Sequence, residues 1–153
     1  MATHGDNAKK ALASELNALL ADHLALYFKT KNFHWHVAGP RFRDLHLMFD
    51  EQAGAILGQV DAIGERVRKN GEDTLTSIGS VVRHTQVRDQ DDTLLSAEAM
   101  VAELRDDNAA LVARLKGLKE LAGNANDNAT DGMLDDWTDQ AEERVWFLSQ
   151  TLK

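Results

Sequence analysis

Apolar residues recur at three- and four-residue steps along most of this chain, and each run stops at a recognisable breaker. Leu12, Leu16, Leu19, Leu20 and Leu24 form the first stripe, which predicts a helix from about Asn7 to His36. Gly39-Pro40 stops it. Phe49, Ile56, Val60, Ile63 and Val67 form a second stripe, and the spacing predicts a helix from about Phe42 to Asn70, closed by Asn70-Gly71. A third helix is expected from about Ser96 to Ala122, again closed by Gly-Asn. A fourth starts near Asp127, a suitable N-cap, and reaches the last residue. The stretch 71–95 is long for a plain connection. Within it, "SIGSVVRHT" puts Ile78, Val81 and Val82 on one face of a short helix. The pattern therefore predicts an all-α four-helix bundle with a short extra helix in the crossover between helices two and three. Residues 1–6 read as a short flexible tail and 7–153 as a single domain.

Composition narrows the chemistry. The 153 residues contain one Pro and no Cys, which favours helix and excludes both disulfides and thiolate metal sites. Any metal must be held by His and carboxylate, a donor set suited to iron, manganese or zinc. A net charge of −8 argues against a general binder of nucleic acid or anionic membrane. The first apolar stretch carries Glu15, Asp22 and His23, so it reads neither as a signal peptide nor as a membrane span. A cytoplasmic protein is expected, and association with the nucleoid is compatible with this.

Three of the six histidines cluster in "NFHWHVAGPRFRDLHLMFDE", residues 32–51. His46 and Asp50 are i,i+4 neighbours on helix two, as are Asp61 and Glu65. At 3.6 residues per turn all four fall within a stripe about 100° wide beside the apolar one. Asp50 and Asp61 nevertheless lie about 16 Å apart along the axis, whereas the ligands of one ion sit within about 2–2.6 Å of it. One helix cannot close both pairs around one metal. No Glu-x-x-His exists on another helix to complete them. A second copy of the chain can: two antiparallel helix-two segments crossing on a two-fold axis near residues 55–56 bring His46/Asp50 of one to Asp61/Glu65 of the other. Gly54 and Gly58 on this stripe permit close approach, and His34 is available as a further ligand. An i,i+4 carboxylate pair is more often solvated surface, and a His near a helix C-terminus also complements the dipole. Spacing alone leaves both readings open.

The motif itself is more specific. "KNFHWHVAGPRFRDLHLMFDE", followed by Asp61 and Glu65, closely resembles the Dps proteins, the mini-ferritins named as DNA-binding proteins from starved cells. The resemblance covers nearly the whole chain, including "TLLSAEAM" and "DNATDGML…VWFL". It implies a ferritin-like bundle assembled as a hollow homododecamer through two-fold and three-fold interfaces. It implies ferroxidase sites shared between subunits, with His34, His46 and Asp50 from one chain and Asp61 and Glu65 from its mate. It also implies oxidation of Fe(II) to Fe(III), with hydrogen peroxide preferred over oxygen, and storage of the ferric mineral, which protects DNA from oxidative damage. Trp35 becomes a candidate electron donor, with packing as its other role. Asp127 matches an acidic position at the family's three-fold channels, and Asp131 and Asp135 follow at i+4 steps. Helix-dipole complementation would use the same aspartates.

Two positions depart from the family pattern. Leu47 stands where many members have Glu, leaving Glu51 as the weaker candidate for mineral nucleation, and His36 stands where Asn is usual. His36 reads as a solvated residue or a spare ligand. His23, eleven residues before His34, reads as a core or interface histidine.

Two other functions compete. One is a DNA-compacting starvation protein, but residues 1–10 offer only Lys9 and Lys10 as cationic side chains, so direct DNA binding is expected to be weak or absent. The other is a mononuclear two-His-one-carboxylate oxygenase built from His34, His46 and Asp50, which leaves Asp61 and Glu65 without a role.

Overall fold

Thr3 starts the first helix by accepting a hydrogen bond from the Asp6 N–H, while the Asp6 carboxylate accepts from the Thr3 N–H, both at 3.1 Å. This capping box satisfies orphan donors at the helix start, so α1 runs His4–His36 and already includes three residues of the expected tail. The computed structural model describes residue 1 and residues 3–153; Ala2, within that tail, lies outside the described residues. The other helices are α2 (Phe42–Lys69), α3 (Ile78–His84), α4 (Ala97–Asn124) and α5 (Asn128–Thr151), with no strand among the described residues.

The helix ends follow backbone chemistry. After α2, Gly71 adopts φ +82°, its N–H bonds to the Arg68 carbonyl, and the Glu72 N–H bonds to the Val67 carbonyl. That pair of bonds is a Schellman stop, and glycine takes the left-handed position without penalty. At the end of α4 the same motif uses Asn126 at φ 55°, with Asn126 N–H to Gly123 and Asp127 N–H to Ala122. The third long helix therefore continues through Gly123-Asn124, which were expected to close it. Asn126 is the residue that leaves the helical region.

The helices α1 and α2 form one antiparallel hairpin, α4 and α5 another, and α3 lies against α1. Leu12, Leu16, Leu19, Phe33, Phe49, Ile56, Ile63, Leu104, Leu115 and Leu148 are fully or almost fully buried between them. Of the apolar face expected on α3, Val81 alone is buried, whereas Ile78 and Val82 face outward. Asp22 is buried in α1. It accepts from the Thr85 hydroxyl and the Gln86 N–H and pairs with Arg114 of α4 at 2.9 Å, which ties the crossover to both hairpins.

Candidate metal centre

The turn at Val37–Arg41 folds α2 back along α1 and sets His34 against His46. The two residues lock each other. His34 Nδ1 donates to the His46 carbonyl at 2.6 Å, and His46 Nδ1 donates to the His34 carbonyl at 2.7 Å. A carbonyl only accepts, so each Nδ1 must carry the proton. In the neutral rings both Nε2 atoms then present free lone pairs, the form a metal binds. The rings stack at 3.8 Å between centroids and 14° between planes, and Phe42 stacks on His46 at 5.0 Å.

Asp50 stands one turn further along α2, with its Oδ1 3.9 Å from His34 Nε2. The same oxygen accepts from Lys31 Nζ at 2.7 Å, and this bond and the nearby ammonium hold the carboxyl below its usual range. Lys31 was not foreseen from sequence. Its i,i+3 step to His34 was visible, but its reach across the hairpin to Asp50 was not.

Asp61 and Glu65 lie three to four turns away on the same exposed face of α2. A hydrogen bond that protonated Glu65 donates to the Asp61 carboxylate, together with the Asp61 charge, holds the Glu65 carboxyl above its usual range. Two carboxylates pressed together in this way carry excess negative charge, which Lys69 only partly offsets. Among the described residues no three His, Asp or Glu side chains of one chain converge as a metal cage. His34 thus lies against His46 and near Asp50 without the three closing on one point, and Asp61 lies with Glu65 elsewhere on the helix. Between the two groups Gly54, Leu57 and Gly58 are exposed, and a Cβ built on either glycine would meet nothing within 4 Å.

The remaining candidates separate clearly. Trp35 is 57% exposed, edge-on to Phe28 at 6.1 Å, with Lys31 Nζ 5.8 Å from its ring. His36 is exposed and bonds back to Asn32, away from the other two histidines. His23 is fully buried with its ring nitrogens on the Leu19 carbonyl and the Gln59 side chain. It is a core histidine, and burial pushes its pKa down.

Asp127 fills the N-cap position that the sequence also offered it. It is buried as the N-cap of α5, where its carboxylate accepts from Arg66 (2.7 Å), Asn70 (2.8 Å), the Thr130 N–H (3.0 Å) and the Thr130 hydroxyl. Burial opposes its ionisation, but Arg66, Asn70 and Thr130 together hold the carboxyl far below the usual range. Asp131 and Asp135 are more exposed and share Lys119, at 2.9 and 2.7 Å.

These features define a helical bundle with a His–carboxylate cluster and a separate carboxylate pair along one face of α2. A family model for the ferritin-like domain matches residues 13–153. A DNA protection during starvation protein of Brevibacillus brevis is 32% identical over 145 residues, covering 95% of this chain and 97% of that one. The crystal structure of a Dps protein from Bacillus brevis superposes with a TM-score of 0.92 at 32% identity, with all of both chains covered. A Dps protein from Vibrio cholerae O1, described as a member of a broad superfamily of ferritin-like diiron-carboxylate proteins, superposes with a TM-score of 0.91 at 26% identity over 97% of this chain and 92% of that one. The chain belongs to the Dps family, the iron-storage mini-ferritins of the ferritin-like fold.

Proposed function

We propose that this protein is a ferroxidase that closes each iron site across a two-fold axis and stores the ferric product inside a hollow dodecamer. The observation that carries the reading is the division of the ligands. A pre-oriented His34/His46/Asp50 cluster and an electrostatically unsatisfied Asp61/Glu65 pair occupy one helix face, too far apart to serve one ion. The bare Gly54–Gly58 surface between them gives a second α2 room to cross. Exposed Phe42, Leu47 and Leu57 on the same helix add an apolar surface of the sort that assembly covers.

Fe(II) is the substrate, and hydrogen peroxide is the preferred oxidant, with oxygen the slower one. Two Fe(II) supply the two electrons that break one O–O bond, and two protons complete two waters. Pairing the irons lets both electrons arrive together, so no hydroxyl radical is released, and this is how DNA is protected. Carboxylates are hard donors and favour the Fe(III) product. The neutral His34 and His46 rings hold Fe(II) through Nε2, while their Nδ1 protons stay on main-chain carbonyls. Trp35, one residue from His34, is placed to supply an electron when iron is scarce. Asp131 and Asp135 line the uptake channel. The compartment is the cytoplasm, and among the described residues no helix is long and apolar enough to cross a membrane.

Mixed dimers test the shared site. One variant carries His34→Ala with His46→Ala, and the other carries Asp61→Ala with Glu65→Ala. Each alone is expected to be inactive. In a mixed dimer one site loses both halves and the other is fully wild type, so activity returns to as much as half of wild type. Verified mixed particles that stay inactive would overturn the two-fold site.

A further inference from the structure

A chain of side-chain hydrogen bonds crosses the bundle from its core to its surface. His23 of α1 is fully buried, with Nδ1 2.9 Å from the Leu19 carbonyl and Nε2 2.8 Å from Gln59 Oε1 on α2. The Gln59 NH2 donates to Gln140 Oε1 on α5 at 2.7 Å, and the Gln140 NH2 donates to the Asp136 carboxylate at 2.8 Å. Gln59 is buried like His23, whereas Asp136 is exposed. Every bond in the chain points outward, and both neighbours of the imidazole are oxygen acceptors. A neutral imidazole has one N–H, so this orientation is complete only when His23 carries two protons. A neutral ring requires the opposite orientation. Its Nδ1–H stays on the Leu19 carbonyl, and its Nε2 lone pair accepts from the Gln59 NH2. Gln59 Oε1 then accepts from the Gln140 NH2. Gln140 Oε1 is left facing Asp136, and two acceptors cannot bond. The proton on His23 and the bond at Asp136 therefore come and go together.

We propose that this chain is a proton-driven switch, in which protonation of His23 in the core reverses the Gln59 and Gln140 amides together and closes the Gln140–Asp136 bond on the surface of α5. Burial, and after it the charge of Arg144 on α5, holds the His23 pKa down, against the Gln59 and Leu19 bonds and the charge of Asp22. Asp22 is itself paired with Arg114 of α4, and α2 presents the uncharged Gln59. The neutral ring and the inward-pointing amides are thus the state at neutral pH. The charged ring forms on acidification, below the ordinary histidine value of about 6.5 and above the carboxylate range near about 4, where Asp136 can still accept. Three helices take part, and only side-chain amides turn.

The test uses the assembled protein free of iron, so that it stands or fails separately from the ferroxidase reading. Neutron diffraction locates deuterium on the ring and amide nitrogens, and NMR of ring-labelled histidine follows the titration. At about pH 8 His23 should carry deuterium on Nδ1 alone, with both amide nitrogens turned toward the core; at about pH 4.5 both ring nitrogens should carry it, with both amides reversed. Asp136→Ala removes the bond that accompanies protonation. It should lower the pH at which His23 takes its second proton by about half a pH unit, about threefold in proton affinity, the size of one modest hydrogen bond. In a Gln140→Met background the same substitution should have no effect, because the chain is already cut, whereas an influence of the Asp136 charge through space would persist. Amides that keep one orientation at both pH values, or a ring without a second proton down to about pH 4.5, would overturn the proposal. So would an Asp136→Ala protein that titrates like wild type, or one whose effect survives Gln140→Met.

Discussion

Replacing Asp127 by alanine should destabilise the protein far more than it slows iron passage. The Asp127 carboxylate caps α5 through the Thr130 N–H, a contribution of about 1 kcal/mol. It is also the acceptor for Arg66, whose side chain is 13% exposed, and for Asn70. Removing one partner of a buried ion pair leaves the other uncompensated, at a cost of about 3–5 kcal/mol. The two losses share one side chain and do not simply add, so about 4 kcal/mol is expected. For a chain of this size that is a drop of about 8–16 °C in melting temperature. Asp127→Asn keeps a good cap and loses only the charge, so it should fall between wild type and Asp127→Ala. The carboxyl is held below its unfolded value, so its contribution is complete above about pH 4 and is lost as the pH falls from there. Asp127→Asn should flatten that part of the stability–pH curve. Circular dichroism melts at one fixed subunit concentration provide the measurement, because assembly makes stability concentration-dependent. A melting temperature within about 2–4 °C of wild type, the size of a 1 kcal/mol change, would refute the contribution of the Asp127–Arg66 ion pair, and slowed iron uptake beside it would favour the pore.

Four further outcomes follow from the same geometry. Lys31→Met frees Asp50 from a half-exposed ion pair, which is worth about 0–1 kcal/mol, so Co(II) affinity should rise by no more than about fivefold; a fall would show that Lys31 orients the carboxylate for the metal. Gly58→Leu meets open space within one chain, so the helical content should survive while size-exclusion chromatography shows loss of the assembled particle, and intact assembly would place the two-fold crossing elsewhere. Asp131→Asn with Asp135→Asn removes exposed charge and should slow iron uptake at low salt without lowering the melting temperature appreciably; unchanged uptake would exclude them from the channel. DNA should not be shifted in a gel at about 150 mM salt, because a surface of net charge −8 per chain repels phosphate; a shift that persists with chelator present would contradict this.

The long helices were legible because their apolar stripes are packed as written: Leu12, Leu16, Phe49, Ile56 and Ile63 are all buried. Their ends were less so. A Thr-x-x-Asp capping box was present in the sequence, but Asp stands in place of the usual Glu, and the helix start was read too late. Asn126 ended α4 by taking a left-handed conformation that Gly123 also allows, and sequence alone does not decide between them. The placement of His46, Asp50, Asp61 and Glu65 on one face of α2 could be read because i,i+4 spacing is local. The partners that govern individual side chains could not: Lys31 for Asp50, Gln59 for His23 and Arg66 for Asp127 all come from other turns of the bundle. For Asp127 that partner lies sixty-one residues away, beyond the reach of any local pattern.

The two halves of the proposed site are prepared in opposite ways, and the difference bears on when iron can bind. His34 and His46 are fixed before any metal arrives, since each ring is held by the other's main-chain carbonyl. Little ordering entropy remains to be lost there on binding. Asp50 is held too, by a lysine that a divalent ion must outcompete. Asp61 and Glu65 have no lysine bonded to them in that way, and the hydrogen bond between them, with the Asp61 charge, raises the Glu65 pKa. Each half alone is a poor site: one has a single carboxylate, already paired with Lys31, and the other lacks a neutral soft-edged donor and a second wall. Bringing them together across α2 supplies both at once, so tight binding and oxidation become properties of the assembled particle. A free chain, with no cage of three ligands of its own, would then have little power to oxidise iron outside the shell that stores the product.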